Sequence, residues 1–200
     1  MNAVLTNLTV ILVTGAVGLF GTTALAAYGI ASRLDYVMIP ILFGLCTATL
    51  TMVGIDIGAG EIAPARKIAG LSAFVGLVLT GGIGAIVALH PPLWLNLFSR
   101  DAEVLREGTT YLRIVAPAYA ALGFGFVIAF AAQGAGHVFW PFVASLVRIA
   151  VAAGCGWLAV GHFGGGMAAL AGMVTASLVA YAAICSAVML SRSVWRLEAR

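Results

Sequence analysis

The sequence predicts an all-α membrane protein, a bundle of six transmembrane helices. Three observations carry that: composition, the length of the apolar runs, and where the charges fall. Of 200 residues, 62% are apolar and 8% charged, against about a quarter charged in a soluble domain. So few ionic groups cannot cover a water-facing surface, and most of the surface must face lipid. Between the charges the chain runs apolar for about the 20 residues that a helix needs to cross a bilayer. Strands of a membrane barrel alternate in polarity over about ten residues, whereas these runs are continuous and longer.

The same composition excludes several functions. A net charge of +3, scattered along the chain, leaves no footprint for nucleic acid. Cys46, Cys155 and Cys185 lie far apart in apolar stretches, which is neither a metal spacing nor a disulfide framework. No hydrolase triad, phosphate loop or metal cluster is present, and Gly15-Ala16-Val17-Gly18 follows no strand. An enzyme is not expected. The first cation is Arg33, so the opening run has no basic lead of the kind a signal peptide carries.

Charges and helix breakers divide the chain into spans over 3–20, 36–57, 68–89, 113–132, 138–160 and 167–190. Leu25–Arg33, rich in small residues, reads as a tight connection or as the start of the second span. Pro40 kinks that span unless it marks its beginning. Gly58–Lys67, with two glycines, a proline and three charges, reads as a loop. Leu93–Tyr111 alternates apolar residues with Arg100, Asp101, Glu103, Arg106 and Glu107. That is an interfacial segment with a helix start near Ser99 or Asp101. Pro117 lies inside span four, Gln133–His137 forms a turn, Gly161–Gly166 is a glycine-rich turn, and the tail from Ser191 to Arg200 is basic and amphipathic. Arg66, Lys67, Arg192, Arg196 and Arg200 fall on one side, which places both termini in the cytoplasm. Gly54-xxx-Gly58, Ala152-xxx-Gly156 and Ala168-xxx-Gly172 have the spacing by which helices approach closely in lipid.

Polar groups at membrane depth are costly and mark candidate sites. Arg148 is about ten residues into span five, roughly 15 Å deep at the helical rise; a cavity-facing cation and a structural arginine that snorkels or bonds carbonyls both suit it, the latter better. Asp56, near the end of span two, is an ion or proton site or a carboxylate touching Arg66 or Lys67. Arg33 and Asp35, two apart, face different sides of a helix, so one of them looks toward an aqueous vestibule or both mark the interface. Asn7 and Thr14 share a face of span one, as packing glue or as cavity lining. Tyr119, Phe124 and Phe126 on span four suit a pocket for aromatic or cationic molecules or, more commonly for such residues, a lipid-facing surface. His90, His137 and His162 sit at span ends, where histidines are ordinary.

Several ordered fragments resemble the multidrug and toxic compound extrusion (MATE) transporters. Gly21-Thr22-Thr23-Ala24-Leu25-Ala26-Ala27-Tyr28-Gly29-Ile30-Ala31-Ser32-Arg33 is similar to the run after the first helix of a lobe. Val53-Gly54-Ile55-Asp56-Ile57-Gly58-Ala59-Gly60 resembles the family's Val-Gly-Gln-Asn-hydrophobic-Gly-Ala-Gly, with Ile55 and Asp56 replacing Gln and Asn. Leu97–Val104, Tyr111–Ile114, Gln133-Gly134-Ala135-Gly136 and Ser145–Ile149 also fit in order, the fourth-helix turn in the form of a C-terminal lobe.

The resemblance implies one six-helix lobe of a twelve-helix protein, in the cell (inner) membrane, facing the lipid bilayer and a second lobe. It implies a secondary active antiporter that expels cationic or amphiphilic small molecules in exchange for Na⁺ or H⁺, with no other cofactor. A lipid-linked oligosaccharide flippase of the same superfamily and a non-transporting structural membrane protein are the competing readings. Some lobes of the family carry a coupling acid on their first or fourth helix. Spans 3–20 and 113–132 have none, so the coupling carboxylate is expected in a partner lobe.

Overall fold

The computed structural model of the chain describes residues 2–155, 166–190 and 195. Its elements are helices joined by tight turns: α1 (Asn2–Gly18), α2 (Thr22–Gly58), α3 (Ile62–Leu89), the short α4 (Pro92–Leu95), α5 (Ala102–Val115), α6 (Tyr119–Gly134), α7 (Phe139–Ile149) and α8 (Met167–Leu190). A 3₁₀ turn at Ala116–Ala118 joins α5 to α6, and a π-helical segment, Ala150–Cys155, continues α7. Among the described residues there is no strand. Four helices are long and apolar enough to cross a membrane, the third being α5 and α6 taken together, Ala102–Gly134; Leu8–Gly18 and Phe139–Ala152 are shorter apolar helices. The later part of span five, the turn Gly161–Gly165, His162 and the tail other than Trp195 lie outside the described residues.

Three helices differ in extent from the spans predicted. Of the two readings of Leu25–Arg33, the second holds: it is not a connection but the early part of the second membrane helix, α2, which starts at Thr22 and runs 37 residues through Pro40. Its polar groups are accommodated within the helix. Ser32 Oγ donates to the Gly29 carbonyl at 3.2 Å, and the Arg33 guanidinium lies 5.0 Å from the Phe98 ring centre. The predicted loop Gly58–Lys67 is a short turn, and α3 already begins at Ile62. Pro64 is in its first turn, where backbone N–H groups have no helical acceptor to lose. Span four extends back to Ala102, with Asp101 as its N-cap: Oδ1 accepts from Glu103 N at 2.8 Å and Val104 N at 3.2 Å. Val104, Gly108, Tyr111, Leu112 and Val115 are the buried face of α5, so the charges of this segment occupy one outer stripe of a helix. Pro117 lacks an N–H, and regular α geometry gives way there to the 3₁₀ turn. The neighbouring Ile114 carbonyl accepts a cross-helix bond from Thr175 Oγ1 of α8 at 3.0 Å.

Two turns share a chemistry. Gly58-Ala59-Gly60 ends α2 and Gly134-Ala135-Gly136 ends α6. The last glycine of each is left-handed, Gly60 at φ 81° and Gly136 at φ 84°. Glu61 N donates to the Asp56 carbonyl at 2.8 Å and His137 N to the Ala132 carbonyl at 2.9 Å, the bond that closes a Schellman stop.

α6 occupies the centre, packed against α2, α3, α7 and α8, and its contact with α3 is the most extensive. That contact depends on missing side chains. A Cβ on Gly76 would stand 2.8 Å from Val127 Cγ2 and 3.0 Å from the Gly123 carbonyl oxygen, and one on Gly84 would overlap the Ala116 carbonyl. Thr80 Oγ1 donates across the same seam to the Tyr119 carbonyl at 2.7 Å. Among the described glycines of the predicted small-residue pairs, Gly58 and Gly172 face open space, and Gly54 meets the Gly134 carbonyl oxygen at 3.4 Å. The outer surface is apolar, with Leu89 72%, Ile11 65% and Leu71 62% exposed, as a lipid-facing surface requires and a water-facing one does not allow.

Candidate functional site

The helices enclose a cavity of about 60 Å³ between α1, α2, α5, α6, α7 and α8. Water needs roughly 10–15 Å³ of such volume, so the cavity has room for a few molecules. Its lining follows from helical periodicity. Tyr28, Asp35, Ile39 and Leu42 recur on one face of α2; Tyr111, Val115, Tyr119, Leu122 and Phe126 continue one stripe from α5 into α6. Arg148 enters from α7 and Ser177 from α8. Tyr28 and Tyr111 meet edge to face at 5.4 Å.

Asp35 is the fourteenth residue of α2, about 20 Å from its start at the helical rise. It is half-buried as a residue because part of its surface faces the cavity, while its Oδ1 is fully enclosed and has no hydrogen-bond partner. Tyr119 is beside it, yet Tyr119 Oη is also buried without a partner; the two groups adjoin without hydrogen-bond geometry. Arg148 makes no ion pair and no hydrogen bond among the described residues. Its guanidinium lies over Tyr181, 5.8 Å from the ring centre.

Three of the six predicted site residues, Asp35, Tyr119 and Arg148, therefore converge on one cavity. Thr14 stands at its margin, donating to the Val10 carbonyl at 2.7 Å and adjoining Tyr28. The side chain of Asn7 lies outside the described residues. Asp56 does not line the cavity and has not found Arg66 or Lys67: its Oδ2 is buried without a partner. Arg66 instead lies 5.7 Å from the ring centre of the buried Trp195. Of the predicted pocket aromatics, Tyr119 and Phe126 do line the cavity, and Phe124 packs partly buried against the core. Arg33 and Asp35 diverge as their spacing predicts, Arg33 outward and Asp35 into the cavity. Tyr28 and Tyr111 were not singled out. The signal was available in the seven-residue spacing of Tyr28 to Asp35 and the eight-residue spacing of Tyr111 to Tyr119, both of which hold one helix face.

A family model, MatE, matches residues 1–158. The chain belongs to the MatE family. Among its curated relatives, "Probable multidrug resistance protein YoeA" of Bacillus subtilis is 26% identical over 150 residues, covering 74% of this chain and 32% of that protein. "Probable multidrug resistance protein NorM" of Chromobacterium violaceum is 32% identical over 98 residues, 48% of this chain and 21% of that one. "Uncharacterized transporter C4B3.13" of Schizosaccharomyces pombe is 35% identical over 109 residues, 52% and 20% respectively. The chain thus spans a third or less of the length of these relatives. The MATE transporter VcmN of Vibrio cholerae, in its bent form, superposes with a TM-score of 0.85 at 20% identity over 98% of this chain and 44% of that one. A MOP superfamily transporter of Pyrococcus furiosus does so with 0.84 at 17% identity over 96% and 42%. As a MatE protein the chain is a membrane protein of a family of transporters, not of enzymes, and is built like part of one lobe.

Proposed function

We propose that this chain forms one half of a secondary active antiporter that exports cationic or amphiphilic small molecules in exchange for Na⁺ or H⁺, with Asp35 as its coupling carboxylate. The observation that carries the reading is Asp35 Oδ1, a carboxylate oxygen on a membrane helix, beside a small cavity between the helices, without a hydrogen-bond partner among the described residues. An ionised carboxylate left unpaired in such surroundings costs several kcal/mol. A proton or a monovalent cation removes that cost, so the site has a loaded and an unloaded state of different charge. Two such states are what coupling to an ion gradient needs.

This departs from the expectation that the coupling acid belongs to a partner lobe. That expectation treated Asp35 as a helix-end residue, and it lies well inside α2. The partner lobe keeps a different part. At about 60 Å³ the cavity is far below the roughly 300–1,000 Å³ of a site for drug-sized ligands. The exported molecule would therefore be held between this half and a second one, in the manner of transporters whose repeats move around a shared site. A flippase for phosphate-bearing lipids calls for several cations, and the described lining has one, Arg148, set against an acid. A purely structural helix bundle has no use for an unpartnered acid at this depth.

The test is reconstitution into vesicles with an imposed Na⁺ or proton gradient and ethidium as the reporter. Gradient-driven ethidium movement lost on Asp35→Asn is the expected outcome. Movement that proceeds at the wild-type rate in that variant overturns the assignment.

A further inference from the structure

Among the described residues the cavity holds a cation without an ion-pair partner as well as an acid without one. Asp35 and Arg148 are the two charged side chains in its described lining; Tyr28, Tyr111 and Tyr119 face them from α2, α5 and α6, Tyr181 from α8, and Thr9 from α1. The two charges act on each other electrostatically, yet no ion pair within 4.0 Å joins them. Arg148 is the last residue but one of α7, and the π-helical segment begins two residues on, at Ala150. A π segment inside a helix is a place where register can shift, and such segments recur at functional sites.

We propose that Arg148 is a built-in counter-cation for Asp35, displaced onto Tyr181 when a proton or monovalent cation occupies the carboxylate and returning to it when the site empties. The inference rests on the reading of Asp35 as the coupling site. The guanidinium has two resting places. Over Tyr181 it gains a cation–π contact, which strengthens on desolvation. Beside an ionised Asp35 it gains a buried, charge-assisted pair that is stronger. It therefore occupies the Tyr181 position when Asp35 is already neutralised, and the Asp35 position otherwise. In either state no carboxylate charge is left uncompensated in the cavity. The incoming cation must compete with Arg148, and this keeps binding weak enough for release.

Four forms of the purified 200-residue chain test this: wild type, Arg148→Gln, Arg148→Lys and Asp35→Asn. Binding is read from tryptophan fluorescence in two arms, NaCl titrated against choline chloride at constant ionic strength, and pH titrated in choline alone. In the arm to which the wild type responds, Arg148→Gln tightens binding at least tenfold. Arg148→Lys, which keeps the charge, stays within threefold of the wild type, and Asp35→Asn does not respond. An Arg148→Gln variant with unchanged or weaker binding, while Asp35→Asn stays silent, overturns the counter-cation and leaves the Asp35 site in place. A wild type that responds in neither arm, or an Asp35→Asn that responds normally, removes the Asp35 site itself and the counter-cation with it. Should Arg148→Gln fail to fold, the Asp35→Asn/Arg148→Gln double variant decides. Recovery of folding supports mutual compensation, and continued failure makes Arg148 a purely structural residue.

Discussion

Gly84 and Gly82 lie two residues apart in the interior of α3, and the same substitution should move stability in opposite directions at the two sites. At Gly82 an added Cβ meets nothing within 4 Å. Alanine there gains the helix preference of roughly 0.5–1 kcal/mol over glycine. At Gly84 the added Cβ overlaps the carbonyl of Ala116 and stands 3.3 Å from Tyr119 Cβ. The obstacle is backbone at the 3₁₀ turn, where no rotamer change makes room. Overpacking of a tight core costs about 1–3 kcal/mol, and a fixed carbonyl puts this case at the upper end. After the helix preference is subtracted, Gly84→Ala should destabilise by about 2 kcal/mol. For a chain of this size 1 kcal/mol corresponds to roughly 2–4 °C in Tm. Gly84→Ala should then melt about 4–8 °C below wild type, and Gly82→Ala about 1–4 °C above it. Cys46 and Cys185 are buried, so a thiol-reactive fluorophore in detergent reports unfolding directly. A neutral or stabilising Gly84→Ala would refute the close α3–α6 seam, and a destabilising Gly82→Ala would refute the open lipid face beside it.

Three other outcomes follow from the same packing. Thr80→Val, which removes the bond from Oγ1 to the Tyr119 carbonyl, should cost about 0.6–1.7 kcal/mol, the range for such bonds within membranes; the thiol-dye melt measures it. Asp101→Ala should lose about 1 kcal/mol through its N-cap bonds to Glu103 and Val104, while Asp101→Asn retains most of it in the same assay. For topology, cysteines at Glu61 and Ala102, both exposed, should react with an impermeant maleimide from opposite sides of intact cells, and reaction of both from outside ends the six-span arrangement. Glu61 serves better than its neighbour Gly60, whose φ of 81° would strain any side chain.

Much of the architecture was legible because it follows from local sequence. Apolar runs set off by Gly-Ala-Gly stops and by the Asp101 cap are one-dimensional signals, and α1, the turn after α6 and the start of α5 fall where they indicate. The misplaced boundaries share one cause. Arg33, Asp35 and the Glu61–Lys67 charges mark, on sequence alone, the edges of membrane helices. Each is accommodated by its setting in the fold: the ring of Phe98 for Arg33, a cavity for Asp35, and a helix first turn for the segment after Glu61.

The sequence by itself determined that this is a helical membrane protein, because lipid punishes unpaired backbone and charge so strongly that composition and run length suffice; its likeness to the MatE family rests instead on the ordered fragments between Gly21 and Ile149. Only the tertiary structure decided which polar residues share a site. Asp35, Tyr119 and Arg148 are separated by long stretches of chain and by three different helices. Their meeting depends on the α3–α6 seam at Gly76, Thr80 and Gly84, on the long unbroken course of α2, and on the 3₁₀ turn that carries one stripe from α5 into α6. None of those is a property of a single segment. Which face of a helix looks inward is settled by the helices around it.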